Sequence, residues 1–188
     1  LYPTAGEASV LGYTPWERKN EFKRHISVVM AQKNQLWWDL PAGESFLLNR
    51  YIYNIDETDY RRTVDELTCM LRVRDLLDVP VRRISLGERM KMEIISSLLH
   101  KPEVILQDEP TIGLDLIAQR ELRAFIRHYA QQYQTTILLT SHYMQDIEDL
   151  CEHILVINHG DIVYNGSIGG LYGGAEESKV IRAVPKTT

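Results

Sequence analysis

Hydrophobic positions along this chain follow two rhythms. Short apolar runs at residues 25–30, 104–107 and 135–140 are too brief for helices and rich in β-branched residues, so they predict buried parallel strands. A shorter strand is expected at residues 8–11, after a turn at residues 3–6. Between these runs the apolar positions recur at helical spacing. Across residues 42–79, Tyr60, Val64, Leu67 and Leu71 share one helical face, with Arg61, Arg62, Asp65 and Glu66 mainly on the other. A second helix, leading from residue 84 to about residue 100, carries Met90, Ile94, Ile95, Leu98 and Leu99 as its apolar stripe. A third, after Asp115, buries Ala118, Leu122, Phe125, Ile126, Tyr129 and Tyr133. After Ser141 and His142 a short helix points Tyr143, Ile147 and Leu150 inward and Gln145, Asp146, Glu148 and Asp149 outward. Residues 152–165 alternate around His159-Gly160 as a hairpin would, and Tyr164-Asn165-Gly166-Ser167 introduces a last short helix. A loosely held tail is expected from residue 169, with one further strand at residues 179–184.

Composition narrows the class. The chain has 188 residues, 44% hydrophobic and 25% charged, enough for one well-buried core and a small subdomain. Its formal charge of −5 gives no long-range attraction to nucleic acid, which is therefore not the favoured partner. Cys69 and Cys151 lack metal-ligand spacing and sit in apolar helical patterns, as reduced buried cysteines do. No apolar run approaches the roughly 18 residues needed to span a bilayer, so work at a membrane would need a spanning partner or segment.

The chemistry concentrates at strand ends. The run Val104-Ile105-Leu106-Gln107 stops at Asp108 and Glu109, two adjacent carboxylates at the carboxyl edge where open α/β sheets bind ligands. One can help hold a magnesium ion bound to nucleotide phosphates while the next polarises an attacking water. Pro110 ends the strand and Gly113 allows a sharp turn. His142 stands at the end of another strand on the same edge, the only one of six histidines so placed, where an imidazole can orient water or bind a terminal phosphate. Ser85 and Gly87 open a helix whose free N–H groups suit a phosphate. Arg82, Arg83, Arg89 and Lys91 read as a solvated face, and Gln107 as a buried amide in need of partners.

The motifs DEPTIGLD (residues 108–115), ISLGE (84–88) and LTSH (139–142), in this order, resemble the nucleotide-binding domain of ATP-binding cassette (ABC) proteins. The combination SLGERMKME, DEPTIGLD and LLTSHYM looks most like bacterial ATPase subunits of multidrug-type exporters. The resemblance implies an α/β P-loop NTPase core over residues 1–168, with a helical subdomain at about residues 42–83 and a tail at 169–188. It also implies ATP and Mg2+ as cofactors, a second nucleotide-binding domain as partner, and a place at the cytoplasmic face of the membrane. Within it, Asp108 would hold magnesium through water, and Glu109 would be the general base. Gln32 resembles the Q-loop glutamine, contacting magnesium and, with His142, the terminal phosphate and its water. Ser85, Gly87 and Glu88 would touch ATP held by the opposite protomer, and Asp115 would act across the dimer interface. Leu86 and Glu88 depart from the L-S-G-G-Q signature, the first limiting backbone approach and the second adding charge near a polyanion.

Trp37 and Trp38 follow the Q-loop glutamine. In an extended segment neighbouring side chains point to opposite sides, so at least one ring is expected to be exposed. In the family this region receives a short helix of the membrane-spanning permease, which both rings are candidates to meet. No G-x-x-x-x-G-K-[ST] phosphate loop occurs in the sequence, which starts at Leu1. The chain is therefore expected to begin downstream of that loop and, by itself, to bind ATP weakly and hydrolyse it negligibly. Alternatives are a soluble ABC ATPase acting on ribosomes or DNA, and a catalytically inactive binding module.

Overall fold

Three parallel strands carry the first of two compact units, residues 1–142, in a computed structural model that describes residues 3–30 and 33–173. The strands are β1 (Ile26–Met30), β2 (Val104–Asp108) and β3 (Thr136–Thr140), side by side in that order. Their register aligns Met30, Asp108 and Thr140 at the carboxyl edge. Among its described residues the unit has five α-helices: α1 (Asn20–His25), α2 (Ala42–Tyr53), α3 (Glu57–Met70), α4 (Leu86–Leu98) and, after β2, α5 (Leu116–Tyr133). The fold is α/β with a parallel sheet, as the apolar runs predicted.

α4 is the most deeply buried helix of the unit. Met92, Ile94, Ile95, Leu98 and Leu99 are almost wholly removed from water, each adding about 1.5–3 kcal/mol of apolar burial. α2 is tied to it by Asn49 Nδ2, which donates to Ser96 Oγ at 2.7 Å and to the Ser96 carbonyl at 3.2 Å. α3 starts at Asp56, whose carboxylate accepts the Thr58 and Asp59 N–H groups. Its far end is linked to α5, since Glu66 accepts from the Tyr133 hydroxyl at 2.6 Å; desolvation first, then that bond, push the Tyr133 pKa up to about 12.

Several expectations change. Residues 8–11 form no strand, only an isolated bridge between Val10 and Tyr13, because no neighbouring strand extends the pairing. β3 is less buried than an apolar run suggests: Leu138 is exposed, and among the described residues β3 pairs only with β2. Cys69 is exposed and Cys151 half-buried, so neither is a core thiol. Lys91 is not on a solvated face, because its ammonium pairs with Glu121 of α5 at 2.7 Å.

His100 turns back from the end of α4. Its Nε2 lies 3.1 Å from the Ile26 carbonyl of β1, and its ring stacks on Tyr53 of α2 at 3.9 Å and 6°. Burial pulls its pKa down, because desolvation disfavours the charged ring. The folded state then binds this proton less readily than the unfolded chain, so His100's share of stability is complete above its unfolded pKa and is lost as pH falls through that range. Accordingly, the melting-temperature gap between wild type and His100→Gln should narrow from pH 7.5 to pH 5.5, roughly a unit either side of the ordinary histidine pKa. A gap that widens on acidification would contradict this assignment.

The second unit, residues 143–188, is built on a hairpin. α6 (Met144–Leu150) precedes β4 (His153–Asn158) and β5 (Asp161–Ser167), which pair antiparallel, and α7 (Ile168–Gly173) follows. His159 and Gly160 both take positive φ, 48° and 93°, as a two-residue turn of matching twist requires. Asp146 is buried rather than outward-facing, since the short α6 does not keep the polar face its spacing suggests. The expected tail starts as helix at α7, and the strand foreseen at residues 179–184 lies outside the described residues.

Candidate functional site

The carboxyl edge of the sheet gathers four polar side chains. β2 delivers Asp108 opposite Thr140 of β3, and Thr140 Oγ1 donates to Asp108 Oδ1 at 2.5 Å. The next residue extends the ladder, with Glu109 N–H donating to the Thr140 carbonyl at 3.0 Å. Glu109 then takes φ of 53°, a left-handed conformation that costs a side-chain-bearing residue about 1–2 kcal/mol. The turn thus begins at Glu109 itself, one residue before Pro110, and swings its carboxylate away from the strand direction. Ile112 N–H closes the turn on the Glu109 carbonyl at 3.2 Å, and Gly113 continues it with φ of 75°.

His142 reaches the same carboxylate, its Nδ1 lying 2.8 Å from Glu109 Oε2. The approach is close without being an aligned hydrogen bond: Oε2 is buried and accepts none of regular geometry. The Glu109 side chain as a whole stays 25% exposed, so a carboxylate held on one side by His142 remains within reach of a water that must lose a proton. Asp108, by contrast, is exposed. Magnesium takes hard oxygen ligands and commonly uses one or two carboxylates with substrate phosphates completing the shell. The donor set fits that mode, since Asp108 offers one exposed carboxylate, steadied by the Thr140 hydroxyl.

A second cluster forms where α4 and α5 begin. Ser85 and Glu88 make a complete capping box. Ser85 Oγ accepts the Glu88 N–H at 3.3 Å, while Glu88 Oε2 accepts the Ser85 N–H at 2.8 Å and the Ser85 hydroxyl at 2.7 Å. The hydroxyl and then the backbone N–H of Ser85 lower the Glu88 pKa. Glu88 therefore occupies the donors that a phosphate would use. Asp115 caps α5, Oδ1 accepting Ile117 N–H and Ala118 N–H at 2.9 Å each. The two helix starts touch closely. A Cβ on Gly87 would meet Ala118 Cβ at 3.2 Å, and one on Gly113 would meet Leu86 Cδ2 at 3.3 Å.

Gln32 lies outside the described residues. Trp37 and Trp38 are 50% and 48% exposed, so both rings, not one, face solvent; the Arg89 guanidinium sits 5.6 Å from the Trp38 ring centre. Gln107 is buried, yet its Oε1 has no hydrogen-bond partner. Sequence reasoning missed Glu93, a carboxylate only 5% exposed on α4. Its signal was legible: an acid standing next to Ile94 and one turn beyond Met90, inside the apolar stripe.

The chain is similar to known proteins in sequence and in fold. The family model described as ABC transporter matches residues 1–112. The ABC transporter ATP-binding protein NatA of Bacillus subtilis (strain 168) is 30% identical over 172 residues, 92% of this chain and 70% of NatA. The bacitracin transport ATP-binding protein BcrA of Bacillus licheniformis is 30% identical over 163 residues, 87% of this chain and 52% of BcrA. In fold the chain is similar to cbiO1 from Clostridium perfringens, part of the ABC transporter complex cbiONQ, with a TM-score of 0.80 at 20% identity over 94% of this chain and 71% of that one. A family match over more than half of the residues, joined to a relative matched along most of its length, shows that this chain belongs to the ABC transporter family, among its ATP-binding subunits.

Proposed function

We propose that the complete protein is the ATP-hydrolysing subunit of an ABC exporter, working at the cytoplasmic face of the membrane beside a separate permease and a second nucleotide-binding domain. The observation that carries this reading is the Asp108–Glu109–Thr140–His142 constellation at the sheet's carboxyl edge, on a chain of this family. The exporter assignment rests on the likeness of SLGERMKME, DEPTIGLD and LLTSHYM to exporter ATPases. No helix among the described residues is long and apolar enough to cross a membrane, which fits a separate spanning subunit.

Each residue has a task in this reading. Magnesium bound with the nucleotide would neutralise phosphate charge, and Asp108 would hold it through water, steadied by Thr140. The Glu109 carboxylate takes the proton of the attacking water. His142 orients the Glu109 carboxylate and donates to the terminal phosphate, which Gln32 would also contact as a Q-loop glutamine. Ser85, Gly87 and Glu88 face the ATP of the partner domain, and Asp115 fixes the helix start beside them. ATP binding would draw the two domains together, and hydrolysis would release them.

The permease would dock on apolar surface next to the loop. Trp37, Trp38 and Leu40 are exposed, as are Leu48, Tyr51 and Ile52, which follow helical spacing along α2. Trp37→Ala and Trp38→Ala in the complete protein should weaken co-purification with the membrane subunit. The melting temperature of the ATPase subunit should stay within about 2 °C, as expected for exposed positions. Mutants that melt early and keep their partner would make the rings structural and refute the docking surface.

A further inference from the structure

The loop of residues 33–41 is held by the body of the unit at several points. Gln35 Nε2 donates to the Val28 carbonyl of β1 at 2.5 Å, and Trp37 N–H to Ser45 Oγ of α2 at 3.3 Å. Val81 N–H and Arg82 N–H donate to the Leu40 and Trp38 carbonyls at 3.0 Å each. One attachment is made by a buried charge. Glu93 accepts the Gln35 N–H with Oε1 at 3.0 Å and Oε2 at 3.1 Å, and the Leu36 N–H with Oε1 at 3.3 Å. Burial opposes the carboxylate's charge, while the two N–H groups favour it.

Removing a carboxylate from water is costly, and an apolar residue would fill the same space in α4 more cheaply. What the carboxylate provides is direction: two consecutive N–H groups are bound from one rigid helix. That helix starts at Ser85, and Glu93 lies eight residues along it, roughly 12 Å at 1.5 Å per residue. We infer that Glu93 is a positioning residue that locks the loop bearing Trp37 and Trp38 to α4, so that a displacement of the Ser85 end is passed to the exposed tryptophans. This deepens the function proposed above and rests on it, since ATP would move α4 only if it meets the Ser85 end.

Without Glu93 the loop keeps its ties to Val28, Ser45 and residues 81–82, so its average place survives. What is lost is the rigid link. Glu93→Gln retains the shape and one carbonyl acceptor, but loses the charge and sets an amide N–H2 against the Gln35 N–H that the two carboxylate oxygens share. Glu93→Leu removes both acceptors and keeps an apolar volume.

The test is residue-resolved amide hydrogen exchange on the complete protein, without nucleotide and with a non-hydrolysable ATP analogue plus magnesium. In the nucleotide-free state, Gln35 and Leu36 amides should exchange about 10-fold faster in Glu93→Gln, and faster still in Glu93→Leu, than in wild type. β2 amides serve as the internal reference and should be unchanged in Glu93→Gln. In wild type the analogue should alter exchange at both residues 85–89 and 35–38; in the variants the change at 85–89 should persist and that at 35–38 should fall by more than half. Three results would overturn the inference: a full nucleotide response at 35–38 in Glu93→Gln, a wild-type response at 85–89 alone, or equal loss of protection across β2 and the loop. Failure of wild type to bind the analogue, measured by calorimetry, would instead defeat the ATPase reading and remove the inference's foundation.

Discussion

Glu109→Gln in the complete protein should lower ATP turnover by about 100-fold or more, the usual scale for losing a general base. The amide keeps the side chain's shape but cannot take a proton from water at neutral pH. The backbone that aims it is unaffected, because Glu109 N–H bonds to Thr140 and its carbonyl accepts from Ile112 whatever the side chain. ATP affinity should therefore stay within a few-fold, and the nucleotide-bound dimer should accumulate and be visible by size-exclusion chromatography with ATP present. Near-normal phosphate release by this variant would place the base elsewhere, with His142, the other group at the carboxylate, as the next candidate.

Phe46→Ala should be the most damaging single truncation in α2. Phe46 is wholly buried and shares a face with Ala42, Ser45 and Asn49, the face from which Asn49 bonds Ser96 of α4. Emptying a buried phenylalanine site costs about 3–5 kcal/mol, which for a domain of this size lowers the melting temperature by roughly 10 °C. Leu48→Ala, on the exposed face of the same helix, should change stability by no more than about 0.5 kcal/mol. Urea unfolding of the two variants would separate these outcomes. Equal effects would mean that α2 does not pack on α4 through the Phe46 face.

Much of the fold was legible in the sequence. Apolar runs located β1, β2 and β3 because a buried strand needs little beyond its own residues to be recognised. The stripe of α4 was equally plain, since Met90, Ile94, Ile95, Leu98 and Leu99 recur at helical spacing and are all buried. Motif order brought Asp108, Glu109 and His142 to one edge, and the structure indeed gathers them around Thr140. Other features depend on partners that local spacing cannot reveal. Lys91 looked solvated because Glu121 lies on another helix, and nothing in the spacing pointed to the contacts of His100, which are Ile26 and Tyr53. Asp146 and Cys69 show the reverse errors, a polar side chain buried and a thiol exposed. The left-handed backbone at Glu109 gave no compositional sign, as the conformation is imposed by the strand pairing on one side and the Pro110 turn on the other.

The Ser85–Glu88 capping box has a consequence for timing. A phosphate arriving at this helix start does not fill an open cradle; it must evict a carboxylate that already holds the serine's hydroxyl and N–H. Occupation is thus an exchange of one anion for another, and the net gain is the difference between two attractions to the same donors. A weakly held or less charged ligand gains little by that exchange, whereas a polyphosphate brought up in a fixed position by the partner domain gains most. In the proposed dimer the departure from the signature at Glu88 would therefore act as a threshold: it would leave α4 capped and self-contained between cycles, and delay commitment of the two domains until the incoming charge outcompetes its own.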